Sequence, residues 1–479
     1  MSDAGTIGLL TLLLMHLLPW VIGTLLVYLV VPLTGPGRRT LCVGLGGAVA
    51  LPLASSTLWF CDLAGFPLTV GHALGMLSAI SLILLLLAWG VARMRVQAPC
   101  ASLHEQKAVD FDHTSMARLF TWVVIVLVVW RLVTVLPDLV LRPVFPWDAW
   151  KLWAWKARVW FESGELVPFL HSSQWVTADS GQFVIDGIDH PNFVPLLMLW
   201  SAVGLGMWDD SLVGLAWLMA ALSSGLMIHG LARHLGLPLV MAWLGVYLFF
   251  SVPMVSTHIT LFGYADLWVT VYFLVFAVGL VLWTRQHAWW PIAIMALGTA
   301  LMALSKDTGI YWLPVLVLAW LATAVSSRVL IALAVVAGVG AMVVVLLGVD
   351  PLGWLTSGRY TLDLQAPMAV AKGMGLHMFV WLDWHLAWYL VPVALLIALM
   401  HAGGMQELRT LLVLAVLAIA VAIGGFLVTR AGEYAIRGTL FSRVLLQVYP
   451  VVVLMAVLAL WRWIRGQRAE EVGNAVADR

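Results

Sequence analysis

Three acidic residues and one lysine stand out in a chain with little charge. Asp148 sits between tryptophans in RPVFPWDAWKLWAWKARVWFESGEL, Asp266 follows Gly263 and Tyr264 in THITLFGYADLWVTVYF, and Lys306 with Asp307 occupies the turn ALSKDTGIYW. A carboxylate at the membrane surface can act as a base, and ionisable residues gathered at a membrane edge are candidates for function, so this set reads as a site. Each residue also has a structural reading. Asp148 can be the N-cap or first-turn acid of the helix it opens, Asp266 can cap the helix that follows it, and Lys306 and Asp307 can neutralise one another. Arg437 and Arg443, in EYAIRGTLFSRVLLQVYP, suit a phosphate through their forked guanidinium groups and serve equally as interfacial anchors.

The elements that position these groups follow from composition. Of 479 residues, 63% are AVILMFWYC and 10% are charged, too few charges to cover a water-soluble surface. A formal net charge of +1 and 3 cysteines argue against a nucleic-acid partner, intrinsic disorder and a secreted disulfide scaffold. The expected fold is all-α, a polytopic membrane helix bundle. Cys42, Cys61 and Cys100 are widely spaced and read as small residues, not ligands or bridges. The N-terminal apolar run lacks a basic region before it and extends to about Pro32, so it reads as a first span and not as a signal peptide.

Counting runs of about 20 residues, the length that crosses the hydrocarbon core, gives about thirteen spans: 6–33, 41–62, 70–92, 118–140, 212–232, 239–256, 263–284, 288–304, 309–325, 328–348, 375–398, 408–429 and 440–463. With the N-terminus outside, the connectors holding Arg38 and Arg39, then Arg93, Arg95 and Lys107, then Arg233, Arg285, Arg328, Arg409, and finally Arg462, Arg465 and Arg468 all fall inside. That agreement requires 191–207 not to cross; it is expected in the outer interface or as a re-entrant helix. The chain then divides into 1–117 (three leading helices and a cytoplasmic linker), 118–348 (a seven-helix module with a large outer loop, 141–211) and 349–479 (an outer loop, three trailing helices and a tail). In the outer loop Trp147, Trp150, Trp153, Trp155 and Trp160 alternate with Lys151, Lys156 and Arg158. An interfacial helix with indoles at headgroup depth and cations reaching toward phosphate accounts for most of them. Arg131 is costly inside its span unless paired, with Asp138 or a lipid phosphate as candidates.

The order of a WDAW outer loop with nearby lysines, His190 and Pro191 in DHPNFVPLL, a GLARHLG inner turn, a Tyr-Ala-Asp helix mouth and a Ser-Lys-Asp-x-Gly outer turn resembles the GT-C superfamily of integral-membrane glycosyltransferases. Within it the likeness is to the protein O-mannosyltransferases and lipid A aminoarabinose transferases, over about 118–348. The resemblance implies a catalytic acid at Asp148, a second acidic position at Asp266, and a lysine at Lys306. Lys151, Lys156, His190 and Asp307, which lie in or beside these motifs, are expected with them as substrate-binding residues. It also implies a polyprenyl-phosphate sugar as donor, a lipid, glycan or protein hydroxyl as acceptor, and a site facing outward from a bacterial inner membrane. Three helices precede the catalytic loop where these relatives usually have one, and WDAW stands where some have two adjacent acids. With Asp148 as base, a single displacement inverts the anomeric centre. No cofactor is required; carboxylates and phosphate can hold a divalent metal, though no spacing demands one. The 349–374 loop and WLDWHLAW are expected to shape acceptor choice. A transporter or flippase of a lipid-linked or small anionic substrate is the rival reading, and a non-catalytic scaffold the next.

Overall fold

A run of twenty apolar residues satisfies its own backbone in lipid only as a helix, and helices are what these runs form. The computed structural model describes residues 3–95, 114–179, 181–324, 361–363 and 366–477. Among them ten helices are long and apolar enough to cross a membrane, or eleven when one bent pair counts as a single span. The chain is a multi-pass, all-α membrane bundle. Of the other two expected spans, 288–304 forms a 17-residue helix, Trp289–Ser305, and 328–348 lies outside the described residues, as do Cys100, Lys107 and Arg328.

Two packing units emerge. The first takes in 1–251, 255–275 and 296–310, the second 252–254, 276–295 and 311–479. In the first unit α1 (Asp3–Val30) packs along α2 (Arg38–Leu63), and α2 packs on α7 (Leu215–His234), so two of the leading helices belong with the central ones. Helices α3 (Val70–Arg95) and α4 (Ser115–Leu141) expose Leu82, Ile83, Leu86, Leu87, Trp122, Val126 and Trp130, a surface suited to hydrocarbon. Between α4 and α7 come α5 (Trp155–Ser163), two short parallel strands, β1 (Phe169–His171) and β2 (Phe183–Ile185), and α6 (Phe193–Leu205).

Of the two placements expected for 191–207, interfacial or re-entrant, an exposed interfacial helix is not what forms: α6 is enclosed by protein. Its 13 residues span about 20 Å, short of a full crossing, and Phe193 to Gly204 are all buried against α1, α2, α5 and α7. An interfacial helix would leave one face open. Trp200 instead donates its Nε1–H to the Met15 carbonyl at 2.8 Å.

The span expected over 239–256 is broken. α8 (Leu239–Ser251) and α9 (Pro253–Thr260) meet at 63°, at a proline that cannot continue the backbone ladder. The guanidinium of Arg131 donates through Nε to the Phe250 carbonyl at 3.2 Å, beside that break. Neither partner expected for it is used in this contact: Asp138 pairs with Arg142 at 3.3 Å, one helical turn on.

The second unit holds α12 (Leu313–Ala324) and the helices Pro367–Gly375, Ala387–His401, Gln406–Val428, Gly432–Ile436 and Phe441–Ala477. In the WLDWHLAW stretch Asp383 accepts from the Ser442 hydroxyl at 3.0 Å, Trp384 donates to the same Oγ at 3.3 Å, and His377 Nδ1 lies 3.0 Å from it. These polar groups pin the start of the last helix. Arg437 belongs here too, in an exposed pair with Glu433 at 3.4 Å, and Arg443 is half-buried one residue beyond Ser442.

Candidate functional site

Pro146 opens the helix that carries Asp148: its carbonyl accepts the first bond, from the Trp150 N–H at 2.9 Å. Asp148 is already helical in backbone (φ −63°, ψ −39°) and its side chain makes no capping bond, so it is not the N-cap; it stands in the first turn, the other structural role open to it. The next six residues, Ala149–Ala154, wind as a π-helix before α5 begins. Such wide turns recur at functional sites. The segment acquires two faces. Ala149, Trp153, Lys156 and Trp160 are buried, while Trp147, Trp150 and Trp155 are 66, 55 and 42% exposed. A tryptophan belt therefore describes three of the five indoles; the other two are core.

The buried face meets the segment leading to Asp266. Gly263 has φ +92°, a region that side chains rarely adopt, and a Cβ there would lie 2.5 Å from the Ala149 Cβ. Gly263→Ala is expected to force the Asp148 and Asp266 segments apart. Backbone strain of about 1–3 kcal/mol would add to overpacking of similar size, lowering thermal stability and any activity together. A variant of wild-type stability and activity would show that the seating of these segments is unimportant.

Asp266 begins α10 (Asp266–Arg285) and is completely buried. Lys306 reaches it from the turn after α11 (Trp289–Ser305), with Nζ 2.8 Å from Oδ1 and only 12% of the lysine side chain exposed. That turn is tight: a Cβ on Gly309 would lie 2.1 Å from the Met302 carbonyl oxygen. The tightness accounts for the glycine in Ser-Lys-Asp-x-Gly and sends adjacent side chains different ways. Asp307 reaches His190, whose Nδ1 lies 2.9 Å from Oδ2, within ion-pair distance though off hydrogen-bond alignment. Lys306 and Asp307 are thus each engaged beyond their neighbour, which mutual neutralisation alone does not provide.

His190 is held from the other side by the Trp153 ring, 4.9 Å between centroids. Lys156 fixes the loop that carries it. Its ammonium donates to the Ile188 and His190 carbonyls, both at 3.3 Å, and to Asn192 Oδ1 at 3.2 Å. Burial pushes this lysine below its ordinary pKa, and the carboxylates of Asp189 and then Asp307 pull it partly back. Expected among the groups reaching for substrate, Lys156 has its three N–H donors committed within the protein. It is a positioning residue. Lys151, on the open face, pairs with Asp186 at the end of β2, and both remain about two-fifths exposed.

The first unit therefore gathers Asp266, Lys306, Asp307 and His190 in two linked pairs, with the Asp148 segment seated on Gly263. Arg437 and Arg443 belong to the second unit. Among the described residues no group of three His, Cys, Asp or Glu side chains is arranged to hold a metal ion. Cys42 and Cys61 are buried and unbridged.

Four contributors escaped the sequence reading: Asp62, which accepts the Leu166 N–H at 2.7 Å and ties α2 to the outer segment, and Asp186, Asp189 and Asn192. Scarcity of charge was the available signal, since IDGIDH places two acids within four residues of a charge-poor chain. No protein-family model matches the chain, and no curated protein and no solved structure is significantly similar to it.

Proposed function

We propose that this protein is an integral-membrane glycosyltransferase that moves a sugar from a polyprenyl-phosphate donor to a hydroxyl acceptor on the extracytoplasmic side. The observation that carries the reading is the meeting of two acid–base pairs, Asp266 with Lys306 and Asp307 with His190, beside the seat of Asp148. In this reading the Asp148 carboxylate takes the acceptor proton as the acceptor oxygen bonds to the anomeric carbon. The anomeric carbon–oxygen bond breaks with inversion, and its electron pair leaves on the polyprenyl phosphate. Lys306, oriented by Asp266, supplies positive charge for that phosphate. His190, with the Asp307 carboxylate 2.9 Å from its Nδ1, orients the reacting oxygen. Acid side chains and phosphate offer hard oxygen ligands to a divalent cation, which would add charge neutralisation.

Incubating membranes that contain or lack the protein with polyprenyl-phosphate donors bearing radiolabelled sugars tests this. Label entering lipid, glycan or protein only when the protein is present supports it; no transfer from any such donor to any envelope fraction overturns it. One observation favours the rival reading of a transporter or flippase, namely the 63° break between α8 and α9, because broken helices frame substrate sites in transporters. Movement of intact donor across a vesicle bilayer without sugar transfer would decide for it.

Sidedness is a separate expectation. In a variant lacking Cys42, Cys61 and Cys100, an impermeant thiol reagent applied to intact cells should label Thr177→Cys and spare His287→Cys and Gln467→Cys. Labelling of His287→Cys and Gln467→Cys with Thr177→Cys spared would invert the topology and remove the proposed site from the outer surface.

A further inference from the structure

The open face of the Asp148 helix lines a cavity of about 490 Å³ that the proposed reaction does not use. It is concave and aromatic, with Trp150 and Trp155 on one wall and Trp208 among its other lining residues. Lys151, Arg158 and Asp186 stand between the rings. The volume is in the range of pockets that enclose small organic ligands. Trp150 and Trp155, which exposure alone assigns to a tryptophan belt, share the lining of this concavity with Trp208. Trp208 is fixed by an Nε1–H donated to Asp210 Oδ1 at 2.6 Å, and Asp210 is itself anchored where its carbonyl accepts the Val144 N–H at 3.0 Å.

The charges narrow the ligand. Lys151 is matched by Asp186 and Arg158 by Glu162, at 2.9 Å in the latter pair, and Asp210 adds a further carboxylate to the lining, so the cavity has donors and acceptors in quantity but no net positive field to hold an anion. Both pairs are substantially exposed, and exposed pairs are weak enough to open toward a hydroxyl at little cost. Flat apolar faces alternating with paired donors and acceptors complement a pyranose ring, whose C–H bonds present an apolar face and whose hydroxyls radiate from its edge. We infer that this cleft binds an uncharged saccharide. Its assignment as the acceptor's glycan subsite rests on the transfer reaction proposed above; its capacity to bind sugar does not.

The test is equilibrium binding to the full chain in nanodiscs of phosphatidylethanolamine and phosphatidylglycerol. Cellobiose, mannobiose and N,N′-diacetylchitobiose serve as probes, followed by saturation-transfer NMR, with phosphocholine as a zwitterionic competitor. At least one disaccharide should bind, about tenfold more weakly to Trp155→Ala, several-fold more weakly to Asp186→Asn, and unchanged to Trp175→Ala, an exposed indole that is not among the cavity's lining residues. Asp186→Asn preserves shape, so its loss of binding cannot be ascribed to misfolding. The inference is overturned if none of the three sugars binds, if Trp155→Ala binds as tightly as wild type, if Trp175→Ala loses as much, or if phosphocholine alone occupies the site. Sugar binding without transfer would leave the cleft standing and remove the transferase reading. Transfer without binding of any probe would do the reverse.

Discussion

Asp148→Asn stops sugar transfer while the protein folds, inserts and binds donor as before: that is the expected result of the most direct experiment. The amide preserves the size and planarity of the carboxylate and removes its negative charge and with it its capacity to take a proton. Loss of general-base assistance lowers a rate by about two to four powers of ten. Loss of an N-cap is not a confounding effect, because the Asp148 backbone is helical and its side chain makes no capping bond. Turnover is measured in purified membranes with saturating donor, and donor affinity separately by binding. An asparagine variant within a few-fold of wild type would mean that another group takes the proton, and His190 with Asp307 would become the next candidate.

Asp266→Asn carries the largest expected effect on stability. Its carboxylate is fully buried with the Lys306 ammonium 2.8 Å away, and removing one member of such a pair leaves a desolvated charge unbalanced. Losses of about 3–5 kcal/mol follow from breaking buried pairs in this way. A fall in activity alone would therefore be uninformative. The double variant Asp266→Asn with Lys306→Met removes both charges and should recover most of the thermal stability while remaining inactive, since the cation proposed for the phosphate is gone. A stable single variant would show that the pair is well solvated in the bilayer. A double variant with restored turnover would reduce the pair to a packing device and move phosphate recognition elsewhere.

Charge scarcity is what made much of this legible from the sequence. In a chain where 10% of residues are charged, Asp148, Asp266, Lys306 and Asp307 were conspicuous, and apolar run lengths gave the long helices. Their partners were not legible, because partners are fixed by backbone geometry. Lys306 and Asp307 are neighbours in sequence, yet the close approach of Gly309 to Met302 directs one to Asp266 and the other to His190. Lys151 and Lys156 looked alike on an interfacial helix; one proved exposed and the other enclosed, a difference set by the winding between them. The 239–256 run read as one span because hydropathy does not register that Pro253 ends a backbone ladder. Helix α6 read as interfacial or re-entrant because its shortness was visible, while the helices that enclose it were not.

That winding has a consequence for chain length. A π-turn holds one residue more than the α-helical turn it replaces, so Ala149–Ala154 carries surplus chain that a deletion could remove without breaking the helix. Loss of Leu152 would let the segment relax to α-helical winding, and because the lost residue is the surplus one, everything before it would keep nearly its present facing relative to α5. Lys156 would keep its hold on the loop that carries His190, and Ala149 its seat on Gly263. A second deletion would find no surplus to absorb it and would turn the Asp148 segment by about 100°, swinging Ala149 off Gly263. In this stretch one missing residue is absorbed, and a second moves the carboxylate to another face.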